Sequence, residues 1–157
     1  MRPRRFQSGL TTVEFSIVGL LFFIMLFSVF EIGRVFFVYN ALDEATRRGA
    51  RMAAVCQVND PAIRQVAVFN ASGGAASPLV GGLTTANIQV NYLDTSGTTI
   101  PDPVVGFGNI RYVQVQIVGF QHQFIVPTHY ITFSSPDFRT TLPRESLGVS
   151  RDGFTPC

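Results

Sequence analysis

The hydrophobic positions of the chain follow three successive patterns. Residues 10–30 are almost continuously apolar, residues 31–56 carry apolar side chains at intervals of three and four, and parts of residues 88–142 alternate between apolar and polar. The first two patterns are typical of helices and the third is typical of strands. We therefore predict one long N-terminal helix followed by a smaller region that contains strands.

The apolar run at residues 10–30 is long enough to cross a membrane. At 1.5 Å per residue a helix of this length measures about 31 Å, and the hydrocarbon core of a bilayer is about 30 Å thick. We predict a transmembrane helix over residues 10–30.

The spaced apolar positions that follow predict that the helix continues as a stalk over residues 31–56. The apolar stripe consists of Ile32, Val35, Phe36, Tyr39, Leu42, Ala45, Gly49, Met52, Ala53 and Cys56. The opposite face carries Asp43, Glu44, Arg47, Arg48 and Arg51, and Glu44 precedes Arg48 by the four residues that allow an ion pair on a helix. We expect this charged face to be solvated rather than to bind a ligand.

The remaining residues, 57–157, predict a small α+β head. Asp60 and Pro61 form a helix start, and the Gly-rich residues 73–82 predict a flexible connection. Strands are predicted at residues 88–92 and 112–118, with shorter ones at 124–126, 130–133 and 138–142. The predicted fold class is α+β, with a long N-terminal transmembrane and stalk helix and a small antiparallel sheet.

The distribution of charge predicts the orientation of the chain. The 12 basic residues are all arginines, and three of them, Arg2, Arg4 and Arg5, precede the apolar run. By the positive-inside rule these three remain in the cytoplasm, so the head is predicted to be exported. The nine arginines that follow are matched by 10 acidic residues, which gives no basic face for nucleic acid.

One acidic residue, Glu14, interrupts the apolar run. A carboxylate at mid-bilayer costs about 2.5 kcal/mol or more, and an intramembrane acid usually has a partner. Gly9 lies five positions before Glu14, and basic residues precede Gly9. The order is therefore a basic leader, a glycine, four residues, a glutamate and an apolar helix.

This order resembles the type IV prepilin signal. The resemblance implies that a membrane-embedded prepilin peptidase cuts between Gly9 and Leu10 and removes residues 1–9 as a leader peptide. It also implies that Glu14 becomes the fifth residue of the mature chain and lies near the N-terminal amine of a neighbouring subunit. On this interpretation the buried charge of Glu14 gains its partner on assembly.

Within the pilin superfamily the chain resembles the TadE-like pseudopilins of tight-adherence (Flp) pilus systems. The resemblance rests on residues 9–15, on residues 31–34 and on the helical positions up to Cys56. It implies a minor pilin or pseudopilin of the bacterial inner membrane, with the prepilin peptidase, other pilins and the pilus assembly platform as partners. The head favours a minor pseudopilin over the main filament subunit.

Several alternatives stay open from the residues alone. The apolar run is longer than that of a secretory signal peptide, and the residues before Cys56 do not form a lipoprotein site. An ordinary signal anchor carrying an exported binding or sensing domain explains the span and the arginines, but not the distance from Gly9 to Glu14. A pseudopilin of another secretion system would share the cleavage signal.

The candidate chemistry of the head is sparse. Cys56 and Cys157 have no metal-ligand spacing, and they either form a disulfide in an oxidising compartment or remain two free thiols. His122 and His129 are seven residues apart and are interpreted as surface or packing residues rather than metal ligands. No nucleophile elbow, zinc-protease motif or dinucleotide fingerprint occurs, so we expect no enzymatic activity and no cofactor.

Overall fold

The computed structural model describes residues 8–70, 72–124, 132–134, 136–151 and 153–157, and for residues 8–10 and 132–134 it describes the backbone alone. Arg2, Arg4, Arg5 and His129 therefore lie outside the described residues.

The described elements follow the order helix, helix, strands. They are α1 (Ser8–Val55), α2 (Pro61–Ala67), β1 (Ile88–Leu93), β2 (Tyr112–Ile117), β3 (Gln121–Gln123), β4 (Thr132–Ser134), β5 (Arg139–Pro143), β6 (Val149–Ser150) and β7 (Gly153–Phe154), with single 3-10 turns at Thr85–Asn87 and Phe107–Asn109. The predicted α+β class is confirmed.

The main sheet is antiparallel and has the order β1-β2-β5. Tyr92 pairs with Val113 across β1 and β2, and Val115 pairs with Thr140 across β2 and β5. Two further antiparallel pairs accompany it, β3 with β4 and β6 with β7. Tyr92, Val113 and Val115 are buried, and Gln114 and Gln116 between and beside the two valines are more exposed, so one face of the sheet contributes to the core.

The chain divides into two compact units, Met1–Phe36 and Phe37–Cys157, and α1 contributes to both. In the first unit none of the described apolar side chains of α1 is buried, and most are exposed. In the second unit, which we call the head, α1 and the residue directly after it supply buried residues to the core. These are Val38, Ala41, Leu42, Ala45, Ala50, Ala53 and Cys56.

Gly49 marks a close approach of α1 to α2 and to the main sheet. A Cβ at this position would lie 3.0 Å from the Ala67 Cβ and 3.0 Å from a methyl group of Val115. One turn earlier, the Thr46 hydroxyl donates to the Asp43 carbonyl and lies 2.9 Å from the Thr140 hydroxyl. These contacts place one face of α1 against the core side of β2 and β5.

The C-terminal end of α1 is capped by the segment after β5. The N–H groups of Glu145 and Leu147 donate to the Ala54 carbonyl at 3.1 and 3.2 Å, and that of Gly148 donates to the Val55 carbonyl at 2.6 Å. Terminal helix carbonyls have no partner within the helix, so these contacts satisfy groups that would otherwise need water. The Ser146 hydroxyl also donates to the Val55 carbonyl, and these two residues are 91 positions apart. The end of α1 is thus fixed by residues that are distant in sequence.

The predicted apolar stripe lies on α1, and it is buried only in part. Ile32 and Phe36 are 57% and 65% exposed, while small residues absent from the prediction, such as Ala41 and Ala50, are buried. The reason is that the burial of α1 begins only at Val38, within the head.

The predictions for the shorter elements have mixed outcomes. Asp60 caps α2 as predicted, because its Oδ1 accepts from the Ala62 N–H at 2.8 Å. The segment at residues 73–82, predicted as a flexible connection, contains hydrogen-bonded turns and the buried side chain of Val80. The strands predicted at 112–118 and 138–142 match β2 and β5, that at 130–133 overlaps β4, and residues 125–126 of the remaining one lie outside the described residues.

Candidate membrane anchor and assembly site

The exposed part of α1 has the properties of a membrane anchor. From Thr11 onwards α1 is long and apolar enough to cross a bilayer, and no other helix among the described residues has this length and composition. The most apolar stretch of α1 is not covered by the rest of the described chain. Two hydroxyls on it are satisfied within the helix, because Ser16 donates to the Thr12 carbonyl and Ser28 to the Ile24 carbonyl. These properties indicate a single-pass membrane anchor.

The exposed apolar surface extends beyond the predicted span. Ile32, Phe36 and Phe37 are exposed, although Glu31 and Arg34 place two charges in this segment. Glu31 and Arg34 form an ion pair at 3.1 Å, and the Glu31 side chain is only 18% exposed. Glu31 and Arg34 are three residues apart and therefore lie on the same side of the helix. Their ion pair leaves Ile32, Phe36 and Phe37 exposed.

Glu14 lies on the exposed surface of α1, within the apolar stretch. Its neighbours Val13 and Phe15 are exposed apolar residues, and no ion pair to Glu14 is formed by the described part of the chain. Leu10 precedes Glu14 by four residues in the same helix, so the two positions lie on one face, about one turn apart. A carboxylate in this position is directed outward, towards whatever surrounds the helix.

The predicted cleavage position lies within the described part of α1. The backbone is described from Ser8 onwards, and the peptide bond between Gly9 and Leu10 has helical conformation. A glycine in a helix costs about 1 kcal/mol relative to alanine, so Gly9 favours local unwinding into the extended form that a peptidase requires.

The charged face of α1 in the head is exposed, as predicted. Arg48 Nε donates to Glu44 at 2.9 Å, and Arg47 lies 4.0 Å from Asp43. The hydrogen bond from Arg48 lowers the pKa of Glu44, and the charges of Arg47 and Arg51 act in the same direction. Because these side chains are about half exposed, such pairs contribute little to stability.

Cys56 and Cys157 are joined by a disulfide, with Sγ atoms 2.10 Å apart. The Cys157 N–H also donates to Asp60 Oδ2 at 2.8 Å, while Asp60 Oδ1 caps α2. Asp60 thus holds both the start of α2 and the last residue of the chain. The Asp-Pro pair predicted the first of these contacts, and nothing in the local sequence signals the second.

The head contains no arranged metal ligands within the described ranges. No group of three His, Cys, Asp or Glu side chains there is placed to hold a metal ion. His122 is buried, and its ring packs edge-on against Phe124 at 5.2 Å between centroids. This environment is that of a packed core side chain.

The comparisons with known proteins identify the N-terminal part of the chain. The family model described as TadE-like protein matches residues 9–51, which include Gly9, Glu14 and α1 as far as Arg51. No curated protein and no solved structure matches the chain. The predicted resemblance to TadE-like proteins is therefore confirmed for the anchor and most of α1.

Proposed function

Starting from a TadE-like anchor helix that continues into an α+β head, we propose that the protein is a minor pilin or pseudopilin of a tight-adherence (Flp) pilus system. It acts by association with other subunits and not by catalysis. The observation that carries the proposal is the coincidence of the TadE-like match with an exposed Glu14, five residues after Gly9 in an apolar helix.

The proposed topology places the protein in the bacterial inner membrane with a cytoplasmic N-terminus. Arg2, Arg4 and Arg5 precede the span, and positive residues favour the cytoplasmic side. The head is then periplasmic, where a disulfide between Cys56 and Cys157 would persist. Surrounding lipid, the prepilin peptidase, other pilins or pseudopilins and the assembly platform are the proposed partners, and nucleic acid is not.

The proposed processing step cuts the chain between Gly9 and Leu10. Its support is the glycine that precedes this bond, because glycine stabilises a helix less than any residue except proline and so favours local unwinding. Cleavage removes the basic leader, residues 1–9, and creates an α-amino group at Leu10.

The proposed role of Glu14 is to pair with the N-terminal amine of a neighbouring subunit. A buried charge that has lost its partner typically costs several kcal/mol, so a subunit with a free carboxylate in lipid gains from a neighbour that supplies a cation. This gain would favour association of helices over their dispersion in the membrane.

Two other functions have the same anchor. A signal-anchored protein with a periplasmic binding or sensing head would keep residues 1–9, and a pseudopilin of another secretion system would lose them. The residues that the TadE-like model matches favour the tight-adherence assignment over both.

The processing proposal is tested by the N-terminal sequence and intact mass of the protein from membranes with and without the prepilin peptidase. We expect a chain that begins at Leu10 only when the peptidase is present. A chain that retains Arg2 in both membranes would exclude processing and leave a plain signal anchor.

The role of Glu14 is tested by pilus assembly in a Glu14→Leu variant, with Glu44→Gln as the matched control in the same helix. We expect Glu14→Leu to be cleaved normally and to fail in assembly, while Glu44→Gln behaves as wild type. Normal assembly of Glu14→Leu would refute the pairing role without affecting the processing proposal.

A further inference from the structure

The outer edge of β5 carries unpaired backbone groups among the described residues. The Ile117 N–H donates to the Phe138 carbonyl, and the Arg144 N–H donates to the Arg111 carbonyl. In an antiparallel pair the hydrogen-bonded positions alternate, so Arg139 and Thr141 direct their N–H and C=O groups away from β2. No described strand lies on that side, since the sheet order ends with β5.

The opposite edge of the sheet is partly covered, which makes the β5 edge different. The Ile100 N–H donates to the Tyr92 carbonyl of β1, and Leu93 forms a bridge with Thr99. At β5 the only edge protection that the described residues provide is Pro143, which has no N–H. Open edges pair readily with added strands, so the β5 edge is the available template in the described head.

A groove between β5 and the charged face of α1 runs along this edge. It is lined by Asp43, Arg47 and Arg51 from α1 and by Thr140 and Leu142 from β5. The two arginines outnumber the single acid, and the contact between Arg47 and Asp43 is long and more than half exposed. The groove therefore offers net positive charge beside unpaired strand backbone.

The spacing of the arginines matches that of a strand. Residues four apart in a helix rise about 6 Å, and alternate residues of a strand rise about 6.8 Å. A strand added beside β5 would direct every second side chain to the same face as Thr140 and Leu142. Acidic side chains at two alternate positions of that strand would meet Arg47 and Arg51.

We propose that the outer edge of β5 is a docking site for an extended segment of another protein subunit that carries acidic residues at alternate positions. The segment adds a fourth strand through Arg139 and Thr141, and its carboxylates bind Arg47 and Arg51. A second copy of this chain does not fit, because no two of its acidic residues are two positions apart. The inference deepens the proposed function by describing the partner that the head receives.

The test uses the full chain in detergent micelles and a synthetic peptide of alternating glutamate and threonine, about seven residues long to span an edge of this length. Binding is measured by fluorescence anisotropy, and edge pairing by hydrogen exchange of the Arg139 and Thr141 amides. We expect saturable binding with at least about tenfold slower exchange at both amides. A peptide of alternating lysine and threonine is expected not to bind.

Matched variants separate the backbone and charge contributions. Thr141→Pro removes an outward N–H and is expected to weaken binding at least about tenfold, whereas Thr141→Val keeps it and stays within about twofold. Arg47→Glu with Arg51→Glu is expected to weaken binding by a similar factor, and Arg64→Glu on α2 is the charge control.

Three results would overturn the inference: no binding of the acidic peptide up to millimolar concentration, equal binding of the lysine peptide, or slow exchange at Arg139 and Thr141 in the free chain. The third would mean that the chain's own residues occupy the edge. If Thr141→Pro fails to fold, the charge variants and the comparison of the two peptides still test the docking proposal. None of these results depends on N-terminal cleavage, so failure here leaves the processing proposal intact.

Discussion

Replacing Cys157 by serine is expected to remove several kcal/mol from the stability of the head. The disulfide joins residues 101 positions apart, Cys56 is fully buried, and Cys157 is exposed. In the chain-entropy model, closing a loop of this length stabilises the folded state by about 4.7 kcal/mol. Because Cys157 is exposed, Cys157→Ser leaves no cavity, so the loss should reflect the cross-link.

The loss is measured on the full chain in detergent micelles, by hydrogen exchange of the slowest amides in β1 and β2 as a function of denaturant. Reduced wild type should match Cys157→Ser, and reductant should not change the variant. Cys56→Ala should lose more than Cys157→Ser, because it also removes a buried side chain. A loss below about 1 kcal/mol, or two reactive thiols in the unreduced wild type, would refute the reasoning.

Three further predictions concern single positions of the head and are checked by the same exchange measurement. Gly148→Ala should lose about 1–3 kcal/mol, because Gly148 has φ +77° and its new Cβ would lie 2.7 Å from the Gln57 nitrogen; unchanged stability would exclude this close approach. Gly49→Ala should also destabilise the head, by up to about 2 kcal/mol, because overpacking outweighs the gain in helix propensity. Gly33→Ala is the control and should not destabilise it, because Gly33 has open space around it. Hydrogen bonds from the Ser96 side chain and nearby backbone lower the pKa of Asp94. The contribution of Asp94 to stability is therefore present above its unfolded pKa and is lost as pH falls through its folded pKa. Asp94→Asn should remove this acid-dependent part of the stability, and an unchanged pH profile of stability would contradict the prediction.

The elements with strong local signals could be predicted from the sequence. The alternation at residues 88–92 and 112–118 gave β1 and β2 within about one residue, and Asp60 with Pro61 gave the start of α2. Each of these signals lies within the element it describes. β3 has no such signal, because its three residues, Gln121–Gln123, are all polar. Only the central one, His122, is buried.

The contacts between the C-terminal tail and the end of α1 could not be predicted, because they join residues that are distant in sequence. Residues 145–148 cap α1, and Cys157 binds Cys56 and Asp60. Backbone N–H groups form most of these contacts, and any residue type except proline carries one. The sequence therefore offered the two cysteines as a possible pair but gave no indication that the tail completes the helix.

The exposure of Ile32 and Phe36 and the burial of the alanines after them show that side-chain size, more than hydrophobicity, marks where burial of α1 in the head begins. From Val13 to Phe37 the exposed apolar residues of α1 are large, and from Val38 to Cys56 the buried ones are mostly alanine. If the proposed membrane surrounds the first of these stretches, its lipid tails are as apolar as the large side chains that face them. A sheet must approach the helix backbone closely, and Gly49 shows how little space remains. Helical periodicity is the same in both stretches, so it predicts the helix but does not predict where its burial in the head begins.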